Sequence, residues 1–105
     1  MPDWVTVAKT GDLSEGEMIG AAVDGVELLV ANVGGQYHAI GSVCTHEGGP
    51  LADGDLYEGV VTCPWHGSGF DVTTGQVEMS PATEPEPVYE VRVEGDEIQV
   101  ARPGG

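Results

Sequence analysis

Residues 17–40 read EMIGAAVDGVELLVANVGGQYHAI. Two runs, Glu17 to Val23 and Val26 to Val33, meet at Asp24-Gly25. That dipeptide suits a two-residue hairpin turn, because both residues tolerate a left-handed backbone. Gly34-Gly35 then turns the chain into a further run, Gln36 to Ile40. Short apolar runs punctuated by tight turns predict an all-β protein built from antiparallel strands.

The same pattern continues outward. Trp4 to Ala8 alternates as a strand does, and Val60 to Thr62 is a short strand leading into a loop at Cys63 to Gly69. Phe70 to Val72 and Gln76 to Met79 flank a Thr74-Gly75 turn. Val88 to Val93 and Ile98 to Ala101, joined through Glu94-Gly95-Asp96, predict a closing hairpin. Between Ser80 and Pro87, three prolines rule out a central strand. The stretch Gly41 to Leu56 is rich in glycine and polar residues and has no period, so it is expected to be a long functional loop. Ser14 to Met18 is the one helix candidate, too short and too close to glycine to stand alone.

With 105 residues the chain is expected to be one domain, 1–105, small enough that a bound metal would contribute much of its stability. Its 18 acidic residues face only Lys9, Arg92 and Arg102, a formal net charge of -15. Such a charge repels phosphate backbones and anionic lipid, so neither nucleic acid nor a membrane surface is an expected partner. The acidity suits a solubilising or salt-adapted surface as well as it suits docking to a basic protein. Met1 to Gly11 shows no basic stretch followed by an apolar run, so a cytoplasmic location is expected. In a reducing compartment two cysteines point to metal or redox chemistry before a structural disulfide.

The chemistry concentrates in two boxes, Cys44-Thr45-His46 and Cys63-Pro64-Trp65-His66, with sixteen residues between His46 and Cys63. Two thiolates and two imidazoles make a strong metal set. In an extended segment Cys44 and His46 would project to one side with Cα atoms roughly 6 to 7 Å apart, a spacing that suits two metal atoms better than one. A tetrahedral zinc site in an interaction module is the competing use of these four residues. Common zinc spacings, however, place two or more residues between paired ligands.

The two boxes, the second running on through Gly67-Ser68, resemble the paired cluster-binding boxes of Rieske iron-sulfur proteins. Leu51 and Gly54 after the first box, Phe70-Asp71 and Thr74-Gly75 after the second, and Ser80-Pro81 in a third loop also look like family positions. The resemblance implies an antiparallel β-sandwich with a cluster-binding subdomain of two loops. It also implies one 2Fe-2S cluster, with Cys44 and Cys63 on one iron and His46 and His66 on the other. Around the cluster it points to Ser68, Trp65, Phe70, Leu51 and Pro81.

Respiratory-type relatives carry two further cysteines that tie the loops together; Gly49 and Trp65 occupy the matching places here, so no such disulfide can form. Trp65 either covers the cluster with apolar surface or simply packs. High-potential relatives supply hydrogen bonds toward sulfur from a Ser and a Tyr; here Ser68 is kept and Phe70 stands for the Tyr. That pattern predicts a potential in the lower half of a range of roughly -150 to +300 mV. Ser68 is also the type of residue that caps its own turn.

His38, the remaining histidine, lies in the Gln36 to Ile40 run and is expected to be structural. A non-haem oxygenase iron needs two histidines and a carboxylate, which the chain cannot supply beside the cluster. No glycine pair makes a phosphate-binding fingerprint for a nicotinamide or flavin. The expected role is therefore an electron carrier, not an enzyme, relaying single electrons from a reductase to a ring-hydroxylating oxygenase whose docking surface is basic. The runner-up is a small subunit of a nitrite-reductase-like enzyme.

Overall fold

A computed structural model describes residues 4–43, 51–65, 67–80, 82 and 84–101. Eleven strands form among these residues: β1 Trp4–Lys9, β2 Met18–Val23, β3 Val26–Val33, β4 Gln36–Gly41, β5 Asp55–Tyr57, β6 Val60–Thr62, β7 Gly69–Asp71, β8 Val77–Met79, β9 Val88–Tyr89, β10 Val91–Glu94 and β11 Glu97–Ala101. They pair into three antiparallel sheets ordered β1-β11-β10, β2-β3-β4-β9 and β5-β6-β7-β8.

The expected turn closes the β2–β3 hairpin in register, Val23 opposite Val26, with Asp24 at φ 53 and Gly25 at φ 81. Asn32 fixes the approach to the next turn. Its buried side chain donates to Leu13 O at 2.9 Å and accepts from Gly35 N at 2.9 Å, so both its amide nitrogen and its oxygen have a partner.

β3 explains why its run Leu28-Leu29-Val30-Ala31 is continuously apolar instead of alternating. Successive side chains point to opposite faces of the sheet, and both faces are covered. Leu28 and Val30 join Leu13, Val23, Ala39, Ile98 and Val100 in one core under the sheet of the chain termini. Leu29 and Ala31 join Ile40, Leu51, Val61, Phe70 and Val72 in a second core under the β5–β8 sheet. The central sheet is thus the middle layer of three, and the β5–β8 layer is the subdomain that carries the candidate site.

Two sequence expectations change, and the helix candidate that was too short to stand alone forms a turn. Gly41 to Leu56 is not one unstructured loop: Leu51–Asp53 forms a 3-10 turn and Asp55–Tyr57 is β5. The β5–β6 hairpin turns at Glu58-Gly59, with Glu58 at φ 50, a residue that carries none of the usual signal for a left-handed position. Val88 to Val93 is not one strand, because the chain changes sheets at Glu90: Val88–Tyr89 pairs with β4 and Val91–Glu94 with β11. Ser14 to Met18 forms a turn, closed by Glu17 N donating to Ser14 O at 3.0 Å, and Met18 already belongs to β2.

Candidate metal centre

Cys63 follows directly on β6, where Val61 is fully buried and Thr62 half-buried. The residue is 2% exposed, lies in the same buried cluster as Leu51, Phe70 and Ala82, and forms no disulfide among the described residues. The loop behind it is closed by backbone bonds: Cys63 N donates to Ser68 O at 2.7 Å and Gly67 N to Cys63 O at 3.1 Å. Cys44, His46, His66 and Pro81 lie outside the described residues.

The segment carrying the first box is tied at its base, where Leu51 N donates to Ser42 O at 2.8 Å, and Gly54 N donates to Leu51 O at 2.9 Å to complete the 3-10 turn. Leu51 is fully buried against the Cys63 core. Gly54 then passes so close to β6 that a Cβ there would collide with the carbonyl of Thr62 and sit 3.2 Å from Pro64 Cδ. Only the absence of a side chain allows the chain leaving the first box to lie against the residues that flank Cys63.

A third loop joins the same place. Ser68 is fully buried and its Oγ accepts from Ala82 N at 3.1 Å, which leaves the hydroxyl proton for a second partner. The loop is anchored further along, where Glu86 N donates to Gly75 O at 2.8 Å and Gly41 N to Pro87 O at 2.9 Å. Sequence reasoning pointed to Ser68 but could not find Ala82, because a backbone donor has no side-chain signature. Phe70, fully buried on β7, packs in the core of Cys63, whereas Trp65 is 56% exposed and belongs to neither core.

Carboxylates dominate the electrostatics. From Leu51 to Ser80 the chain has Asp53, Asp55, Glu58, Asp71 and Glu78 and no Lys or Arg. Asp71 caps the β7–β8 turn: hydrogen bonds from Thr73, 2.6 Å from the hydroxyl and 2.8 Å from the backbone, hold its carboxyl below the usual range, with attraction from His38 a smaller contribution. The cations Lys9 and Arg92 lie instead on the sheet of the termini. Lys9 Nζ is 3.4 Å from Glu97 and 3.6 Å from Asp96, and Arg92 sits 4.5 Å over the Trp4 ring.

A thiol buried in an apolar cluster and a buried serine with a spare proton fit an iron-sulfur cluster. Among the described residues no helix is long and apolar enough to cross a membrane.

Residues 3–101 match the family profile described as Rieske [2Fe-2S] domain. The ferredoxin component of biphenyl 2,3-dioxygenase from Rhodococcus jostii (strain RHA1) is 36% identical over 99 residues, covering 94% of this chain and 92% of that one. Apoptosis-inducing factor 3 of Mus musculus is 34% identical over 95 residues, 90% of this chain but only 16% of the relative's length. Among solved structures, a chain in the complex of reduced oxygenase and oxidized ferredoxin in carbazole 1,9a-dioxygenase superposes with a TM-score of 0.89 at 37% identity, covering 93% of this chain and 92% of that one. A putative NADH-dependent nitrite reductase small subunit from Mycobacterium tuberculosis gives 0.86 at 26% identity, covering 100% and 99%. With that match over almost its whole length and with donors that suit the cofactor, the chain belongs to the Rieske [2Fe-2S] family, whose members carry one such cluster per chain.

Proposed function

We propose that this chain is a cytoplasmic one-electron carrier, a single Rieske domain over 1–105 that takes electrons from a reductase and delivers them to a ring-hydroxylating oxygenase. The observation that carries this reading is the end-to-end likeness, at 36% identity, to a dioxygenase ferredoxin component. The near full-length likeness to a nitrite reductase small subunit, at 26% identity, supports the second reading, the same carrier serving a nitrite-reductase-like enzyme.

In this reading Cys44, His46, Cys63 and His66 hold the cluster, which supplies a reversible one-electron change. The protein's own residues supply its surroundings. Leu51, Phe70 and Cys63 belong to one apolar cluster that keeps water from the inner side, and the spare proton of Ser68 is available to an acceptor beside it. The Gly54 contact sets the chain after the first box directly against the end of β6, where the Cys63 loop begins.

Metal analysis tests the site: two irons and two acid-labile sulfides per chain are expected, and one zinc without sulfide would end the reading. Reconstitution tests the role. An oxygenase and reductase pair should form product only when the reduced chain is present, while turnover with a sirohaem nitrite reductase in place of the oxygenase would favour the second reading.

A further inference from the structure

β5, β6, β7 and β8 present one face to the second core and leave the other to solvent. Leu56, Val61 and Phe70 point inward. The cross-strand pairs Tyr57 with Val60, Thr62 with Gly69, and Gly69 with Met79 therefore share the outer face. Tyr57 is 75% exposed and Met79 43% exposed. Met79 lies folded over Gly69, where a Cβ would come within 2.6 Å of its Cε. Between the two large side chains runs a shallow depression of about 380 Å³ lined by Tyr57, Glu58, Val60, Thr62, Glu78 and Met79.

From this face we infer a docking surface for a basic redox partner, a protein whose contact has an apolar centre ringed by Lys or Arg. Charge selects the occupant. Asp55 and Asp71 sit on the same face, Glu58 and Glu78 line the depression, and the segment from Leu51 to Ser80 has no cation. A second copy would set carboxylates against carboxylates, whereas a cationic rim would pair with them. An aromatic ring and a methionine surrounded by charges also match the centre-and-rim anatomy of protein contacts. Position supplies the electron path. Thr62 and Gly69, paired on this face, bracket the Cys63–Ser68 loop, and Tyr57 stands about 7 Å further along, two strand rises away. A partner centred here covers that loop from the side, with Tyr57 and Met79 at the middle of its footprint.

This inference rests on the carrier reading, and the experiment separates the two. Cytochrome c, a basic protein whose haem edge is ringed by lysines, serves as the probe acceptor for the reduced protein in a stopped-flow apparatus at about 0.01 M ionic strength, where the Debye length is about 30 Å. A small cobalt tris-phenanthroline complex serves as a second acceptor that needs no docking face. The variant Tyr57→Ser/Met79→Ser, which leaves the net charge unchanged, should lose about tenfold in rate toward cytochrome c. Its potential, its electron paramagnetic resonance spectrum and its rate toward the small complex should stay the same. Tyr57→Ser alone, far from the Gly69 contact, should reproduce part of that loss and guards against a folding effect. Glu58→Gln/Glu78→Gln should flatten the salt dependence.

A rate toward cytochrome c within about twofold of the parent protein would overturn the docking face, since a true anchor costs more. Equal losses toward both acceptors would place the damage at the cluster and overturn it too. A dimer at low salt that the Tyr57/Met79 variant abolishes would assign the face to a second copy instead. Failure of the parent protein to reduce either acceptor would overturn the carrier reading itself.

Discussion

The two faces of β3 look into different cores, and the cores are built differently. On one face Leu28 and Val30 meet Ile98 and Val100, aliphatic side chains from a strand of five residues that is paired on both sides. On the other face Leu29 and Ala31 meet Val61 and Phe70, delivered by strands of three residues, and Cys63 from the loop that follows β6. The first core needs only burial to persist. The second includes a thiol, closes through loops at Ser42–Leu51 and Cys63–Ser68, and is expected to draw stability from its metal. One side of the central sheet is a scaffold and the other is a holder.

Removing iron with a chelator should break this comparison most sharply. Amide hydrogens of Val61 and Phe70 are expected to lose protection from exchange, while those of Val30 and Val100 keep it. Equal loss in both cores would mean that the molecule unfolds as one unit and that the two faces of β3 are not independent.

Gly54→Ala comes next. Its Cβ would collide with the Thr62 carbonyl, a backbone atom that cannot swing aside, so the two loops must separate. Iron and sulfide per chain should fall well below the parent protein, with the far-ultraviolet spectrum of the terminal sheets retained. Full cluster loading would show that the contact does not position the loops.

In the scaffold core, Ile98→Ala should cost about 2–5 kcal/mol, as expected for a large fully buried aliphatic side chain. The potential and the resonance spectrum should not change. A shifted spectrum would show that the two cores communicate through the central sheet.

Ser68→Ala acts only in the holder. It removes a donor whose bond to sulfur should strengthen on reduction, so voltammetry should show the potential lowered by roughly 20 to 60 mV, the equivalent of an ordinary hydrogen bond of about 0.5–1.5 kcal/mol. Phe70→Tyr should move it the other way. An unchanged potential in both variants would assign Ser68 to its bond with Ala82 N alone.

The smallest effect is expected at Asp71. Its folded carboxyl titrates below the ordinary value, so its contribution to stability is complete above that value and disappears as pH falls through the lower, folded one. Asp71→Asn should lower stability near neutrality by about 1 kcal/mol or less and reduce the loss of stability on acidification. Melting temperatures measured down to acid pH check both; a parallel pair of curves would mean that the Thr73 bonds carry no differential charge.

Local chemistry was legible in the sequence wherever one residue type has few uses. Asp24-Gly25 marked its turn because few residues accept a left-handed backbone, and Val60 to Thr62 was read with the limits the structure has. The paired boxes identified the family, because two thiolates and two imidazoles at such spacings have few other purposes. The existence of β5 and the division at Glu90 were not legible: Asp55-Leu56-Tyr57 has none of the β-branched residues that mark Val60 to Thr62, and Val88 to Val93 reads alike whether it pairs with one sheet or two.

The amino-acid sequence by itself determined the strand-rich class, the paired Cys-His boxes that mark the family and the excess of negative charge, since each follows from residue type and spacing along the chain. Only the tertiary structure decided that β3 is buried on both faces, that Gly54 rests on the Thr62 carbonyl, that Ser68 receives the amide of Ala82, and that Tyr57 and Met79 share an open face ringed by carboxylates. Those relations join residues far apart in the chain. They depend on which strands pair and in what register, and a change of one residue in register would turn a strand's side chains, those of β3, Tyr57 and Met79 among them, to the opposite face.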